Sequence, residues 1–264
     1  MYPFTYHRPA TLRQAVNLLA KIEDAKILAG GQTLLATMKQ RLASPANLVD
    51  LSGIEDLSGI ELAGRSLVIG AMTCHREVAT SPIVLEHLPA LAATAGMVGD
   101  PAVRNVGTMG GSVANNDPNA DYPAACLGLG ATIVTSKRRI KADDFFTGLF
   151  ETALEADEII TKIMFPLAKK AAYQKFRNQA SRFALVGVFV SKRGAEIRVA
   201  VTGAGASGVF RVTAFEEALA KRFAAKSLEG LTVPADGLNS DIHGGAEYRA
   251  HLIGVLARRA VAAA

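Results

Sequence analysis

The sequence predicts an α+β protein in two parts, on three observations. Residues 11–51 alternate helical and strand signals in a βαβ-like order. Tyr173–Asn178, Phe183–Val190 and Glu196–Thr202 are short alternating or wholly apolar runs, as expected of neighbouring strands in an antiparallel sheet. Between these regions, Pro166 to Ala172 reads as a linker, which places a domain boundary near residue 168.

The elements follow in order. Thr11 offers a capping hydroxyl to a helix whose apolar residues are Leu12, Ala15, Val16, Leu19 and Ile22. Lys26–Leu28 is a strand, Ala29-Gly30-Gly31-Gln32-Thr33 a turn, and Leu34 opens a helix that Ser44-Pro45 ends near Leu42. Asn47–Leu51 and Leu67–Ile69 read as strands and Thr73–Ala79 as a short helix. Ile83 to Met97 is helical, restarted at Pro89. Gly107 to Asp121 is dense in Gly, Asn, Asp and Pro and reads as a long functional loop. Ala131–Thr135 and Ile159–Phe165 are further strands, and Phe215–Phe223 and Tyr248–Val261 the closing helices.

Composition narrows the function. Half of the 264 residues are hydrophobic, so a sizeable core is available, yet no apolar run approaches membrane-spanning length. The N-terminal MYPFTYHRP lacks a basic start followed by an apolar stretch, so a cytoplasmic location is expected. The net charge of +5 is scattered in small groups, not in the long basic stripe of a nucleic-acid surface. Cys74 and Cys126 are too few for an iron–sulfur cluster with four cysteine ligands and lack metal-ligand spacing, and the histidines form no zinc motif, so no metal site is expected.

Two loops carry chemistry. In Ala29 to Thr33 the adjacent Gly30 and Gly31 let a ligand approach the backbone, whose successive N–H groups can cradle an anion ahead of a helix start. Thr108-Met109-Gly110-Gly111-Ser112 repeats that composition and is followed by Asn115, Asn116, Asp117, Asn119 and Asp121, the last an acceptor for a ribose or ribityl hydroxyl. Two such loops suggest a long diphosphate ligand held from both sides. Gly203 to Gly208 matches G-x-G-x-x-G, but no helix opens at once and no second strand ending in an acidic residue follows, so it reads as a turn.

The runs LAGGQTLL, IGAMT, DPAVRNVGTMGGSVANNDPNADYPA, DDFFTGLFETALEADEIITKIMFP, KFRNQASRFALVGVFV and RVAVTGAG span nearly the whole chain. Together they resemble the FAD-binding medium subunit of the molybdenum hydroxylases, of the aerobic carbon monoxide dehydrogenase and xanthine dehydrogenase type. The resemblance implies a two-subdomain FAD-binding fold of the vanillyl-alcohol-oxidase (PCMH) type over about 1–55 and 56–168, then an antiparallel-sheet domain with helices over 169–264. It implies that the cofactor FAD meets Leu28, Ala29, Gly30, Gly31, Gln32 and Thr33 on one side. On the other side it would meet Thr108, Met109, Gly110, Gly111 and Ser112, with both loops offering backbone amides. Asn115, Asp121, Ile160 and Arg177 match further cofactor contacts, and Phe183 stands where the family often has Tyr, which removes a hydroxyl. As partners it implies a large subunit with the molybdenum cofactor and a small subunit with two [2Fe–2S] clusters, assembled as a dimer of heterotrimers. No catalytic acid or base is expected, because electron transfer needs none. The rival readings are a self-contained flavin oxidase or reductase, and a scaffold subunit that has lost FAD.

Overall fold

The computed structural model describes all residues 1–264. A small sheet comes first, with Thr5–His7, Asn47–Asp50 and Ala25–Leu28 parallel and in that order. Parallel neighbours need crossovers, which the helices Leu12–Lys21 and Leu34–Lys39 supply. Thr11 caps the first of them, its Oγ1 accepting from the Gln14 N–H at 3.3 Å. The strand Thr5–His7 is too short to show an alternation in the sequence.

The second sheet is antiparallel, in the order Ile60–Ala63, Ser66–Gly70, Ile160–Pro166, Thr132–Thr135, Arg139–Lys141. Against it and beyond its edge pack the short helices between His75 and Leu129. Two of these correct the sequence expectation. Gly107–Asp121 is not one long loop: Met109–Asn115 is a helix, and another, Asp121–Leu129, opens at the end of the stretch. Gly and Asn are weak helix formers, so composition hides this helix. Tertiary packing overrides the propensity: a Cβ on Gly110 would fall 2.5 Å from the Ala71 side chain, so only glycine lets this helix lie so close to the strand end. The linker is also shorter than expected, since the strand Lys170–Arg177 begins soon after Ile160–Pro166 ends.

The third sheet, also antiparallel, runs Lys170–Arg177, Ala184–Arg193, Glu196–Thr202, Phe210–Arg211. Residues Ala184 to Ser191 are buried without alternation because both faces are covered. On one face Phe189, Tyr173 and Ala200 join the core built around the second sheet and the helix Asp121–Leu129. On the other, Val188, Val190 and Val201 pack with Ile253, Leu256 and Ala257 of the helix Ala246–Ala263. The last two sheets thus share a core across the chain position where the linker falls.

Arg249 fastens the far end of this unit. It is 2 % exposed, and its guanidinium donates to the carbonyls of Leu185 at 2.8 Å and Gly203 at 2.7 Å and to Asp241 Oδ2 at 2.7 Å. The glycine-rich turn Gly203–Gly208 is therefore held by a structural arginine, and the Gly203 N–H donates to Pro118 O at 2.8 Å. Arg249→Met leaves two buried carbonyls without donors, each worth roughly 1–3 kcal/mol. Chemical denaturation should register a loss of about 3 kcal/mol; a loss below about 1 kcal/mol would show that the carbonyls find other donors.

Candidate cofactor site

The strand ending at Leu28 delivers the first glycine loop to the second. A Cβ on Gly30 would stand 2.3 Å from the Val106 carbonyl oxygen and 2.7 Å from Gly107 Cα, so the two backbones touch there. A Cβ on Gly111 would stand 3.3 Å from the Ala29 side chain, so the second contact runs in the opposite direction. Gly31 has φ +68°, a left-handed turn that aims the chain into the helix Leu34–Lys39. The carbonyls of Gly31 and Thr33 accept from Leu35 and Thr37. The N–H groups of Gly30, Gly31, Gln32 and Thr33 donate to nothing within the chain. Four consecutive free donors, on a turn whose glycines are partly buried and whose Gln32 and Thr33 are exposed, are available to an anion.

The second loop offers something different. Its amides from Met109 to Ser112 are already engaged: Met109 donates to Thr73 O at 3.0 Å and Gly110 to Ala71 O at 2.8 Å. Gly111 donates to Thr108 Oγ1 at 3.2 Å, and Ser112 to Thr108 O at 3.1 Å. Capping and anchoring the helix Met109–Asn115 engages four of the five amides of this loop, whereas the Thr108 N–H donates to nothing within the chain. Besides that amide, what remains to a ligand is the space at Gly111 and the side chains of Ser112 and Asn115, which are half-buried and make no hydrogen bond within the chain.

The other candidate residues fall into two groups. Met109 is fully buried and Ile160 is 5 % exposed, both within the main core, so they sit beneath the surface of the site. Arg177 and Phe183 flank a hairpin closed by the Asn178 N–H donating to Phe183 O at 2.8 Å. The Ala184 N–H donates to Asn119 O, which brings this hairpin beside the segment that follows the second loop. Phe183 is 45 % exposed and Arg177 is exposed, so both offer surface.

Asp121 opens the helix Asp121–Leu129 and is only 4 % exposed. Its Oδ1 accepts from Tyr173 Oη at 2.5 Å and its Oδ2 from Lys175 Nζ at 2.8 Å. Burial holds the pKa of this carboxyl above the ordinary carboxylate value, against the downward pull of Lys175 and Tyr173. Neither partner is prominent in the sequence. Their signal is the strand period: Tyr173, Lys175 and Arg177 share one face of Lys170–Arg177.

His75 supports the second loop from behind and carries no motif. Its backbone N–H donates to Gly107 O at 3.0 Å, its ring lies 5.3 Å from that of Tyr122, and a Cβ on Gly107 would fall 2.7 Å from its Nε2. Burial, then the charge of Arg104, lowers its pKa from 6.5 to about 4.

A turn of free backbone donors pressed against a second, hydroxyl-bearing glycine loop fits a diphosphate-containing cofactor. The family model for the FAD binding domain in molybdopterin dehydrogenase matches residues 2–168. The carbon monoxide dehydrogenase medium chain of Hydrogenophaga pseudoflava is 35 % identical, over 99 % of this chain and 96 % of that one. The nicotine 6-hydroxylase medium subunit of Paenarthrobacter nicotinovorans is 36 % identical, over 97 % of this chain and 95 % of that one. Among solved structures, a carbon monoxide dehydrogenase from Hydrogenophaga pseudoflava superposes with a TM-score of 0.88 at 36 % identity, covering 100 % of this chain and 98 % of that one. The chain belongs to this family: it is an FAD-binding oxidoreductase chain of the molybdenum-hydroxylase type, and its cofactor is FAD.

The buried imidazole makes a pH prediction. The folded protein keeps His75 neutral down to about pH 4, whereas the unfolded chain protonates it below 6.5. Proton uptake by the unfolded state then lowers stability as pH falls from 6.5 to about 4, by about 3 kcal/mol in all. Denaturant titrations at pH 7 and pH 4.5 should show a smaller acid-induced loss in His75→Gln than in the parent. Equal losses would mean that His75 titrates normally in the fold.

Proposed function

We propose that this chain is the flavin-bearing electron-transfer subunit of a complex with a large molybdenum-cofactor subunit and a small [2Fe–2S] subunit, paired as a dimer of heterotrimers in the cytoplasm. The observation that carries the reading is the pair of touching glycine loops, one with four free amides and the other with free side chains at Ser112 and Asn115. In this reading Gly30 to Thr33 grip the diphosphate of FAD, flanked by Leu28 and Ala29. Thr108 to Ser112 close over it, and Asn115 and Asp121 take up cofactor hydroxyls. Arg177 and Phe183 present a cation and an aromatic face toward the ring system, and Met109 and Ile160 support the floor. Bound FAD supplies the one- and two-electron chemistry. The chain supplies position and polarity, and no side chain need act as acid or base. The boundary near residue 168 divides the FAD-binding part, with its subdomains at about 1–55 and 56–168, from the C-terminal part.

Electrons must then come from outside the chain. Its free thiols, Cys74 and the fully buried Cys126, are too few for a cluster that takes four, and burial pushes Cys126 far up as an acid. The C-terminal sheet is covered on both faces, which leaves it no open face for an organic substrate and weighs against a self-contained oxidase. The relatives' names as medium chains support the division of labour.

Two experiments test this. In Gly111→Val the new side chain must displace Thr108 Oγ1, 2.8 Å from the Cβ position, and Ala29. The purified variant should keep its circular dichroism and lose most of its flavin absorbance, whereas full retention would contradict the two-loop site. Separately, the FAD-loaded chain alone should show no substrate-dependent bleaching, and in the reconstituted complex substrate should bleach flavin and clusters together. Turnover of an organic substrate with dioxygen by the lone chain at about 1–1000 per second would establish the self-contained oxidase instead.

A further inference from the structure

Lys175 is an unusual residue for its place. Its side chain is 3 % exposed, in a strand between two packed layers. Nζ donates to Asp121 Oδ2 at 2.8 Å and to the carbonyl of Met97 at 3.0 Å. Tyr173, two residues earlier on the same face, donates to the other oxygen of Asp121. Gly187 clears the room, since a Cβ there would fall 2.2 Å from Tyr173 Oη. One lysine thus joins the C-terminal sheet, the first turn of the helix after the second glycine loop, and the end of the helix Pro89–Gly96. The same strand ends at Arg177, and its hairpin at Phe183.

Burying two charges is seldom the cheapest way to stabilise a core; an apolar pair of equal volume commonly serves as well or better. The arrangement makes sense if Asp121 has to be ionised and fixed. Lys175 counters the burial that disfavours the carboxylate, and Tyr173 locks its rotation. The remaining lone pairs of the carboxylate then keep one orientation.

We infer that Lys175 is a positioning residue of the flavin site: it holds Asp121 in place and thereby makes cofactor retention depend on the C-terminal sheet. The inference rests on the reading above that Asp121 belongs to the FAD site. It places no catalytic duty on Lys175, which acts through its partner.

The test is a double-mutant cycle on the full chain with Lys175→Met, Asp121→Asn and the double variant, plus Lys175→Arg. Apo-protein is titrated with FAD, and the thermal midpoint of each apo-protein is recorded. Lys175→Met and Asp121→Asn should each weaken FAD binding by about tenfold or more. The double variant should bind no more weakly than the worse single variant, because the two residues act along one route. Removing both charges should return the apo midpoint toward the parent's without returning FAD affinity, and Lys175→Arg should retain most of the affinity. Where Lys175→Met fails to fold, the neutral double variant and Lys175→Arg carry the comparison. Unchanged affinity in Lys175→Met, additive losses, or affinity that recovers together with the midpoint would each overturn the inference and leave a purely structural ion pair. If Gly111→Val also keeps its flavin, the site reading itself fails; if it loses flavin while Lys175→Met does not, only the role of Lys175 fails.

Discussion

Gly30 lies so close to the Val106 carbonyl that a methyl group in its place would sit 2.3 Å from that oxygen. This backbone contact, made possible by a missing side chain, brings the small parallel sheet and the helical part of the second unit together at their glycine loops. Gly111 answers it from the other direction against Ala29. The candidate site lies where these loops meet. The free amides of Gly30 to Thr33 stay free because the turn at Gly31 carries them past the strand ladder before the next helix begins. Steric absence sets the approach, and the unsatisfied donors supply the chemistry.

The two loops look alike in sequence and behave differently in three dimensions. The first spends nothing on itself. The second uses each amide from Met109 to Ser112 to cap and anchor its own helix, which makes it the rigid wall of the pair. His75 braces that wall and stays neutral because it is buried. A soft donor turn facing a stiff wall suits a ligand that is gripped at its diphosphate and enclosed along its length. The C-terminal sheet contributes through Tyr173 and Lys175, which reach across the shared core to Asp121.

Much of this was legible in the residues. The Thr11 cap, the strands around residues 27, 48, 68 and 163, and the paired glycines announced themselves through period and turn chemistry. The helix Met109–Asn115 did not, because its glycines lower helix propensity while enabling the packing on Ala71 that pays for it. The engaged amides of that loop were hidden for the same reason. Lys175 was equally silent: a lysine in a strand ordinarily points to solvent, and only the covering helix reveals that this one does not. The turn at Gly203 shows the converse, a motif match whose geometry is explained by Arg249.

If the free amides of Gly30, Gly31, Gln32 and Thr33 take the cofactor's diphosphate, their exchange with solvent must depend on bound FAD. Amide hydrogen exchange is measured on the apo-chain, the FAD-loaded chain and the chain with excess riboflavin, which has the ring but no phosphate. Residues 30–33 should exchange rapidly in the apo-chain, be strongly protected by FAD and gain no protection from riboflavin. Equal exchange rates at these residues with and without bound FAD would contradict their role in holding the diphosphate.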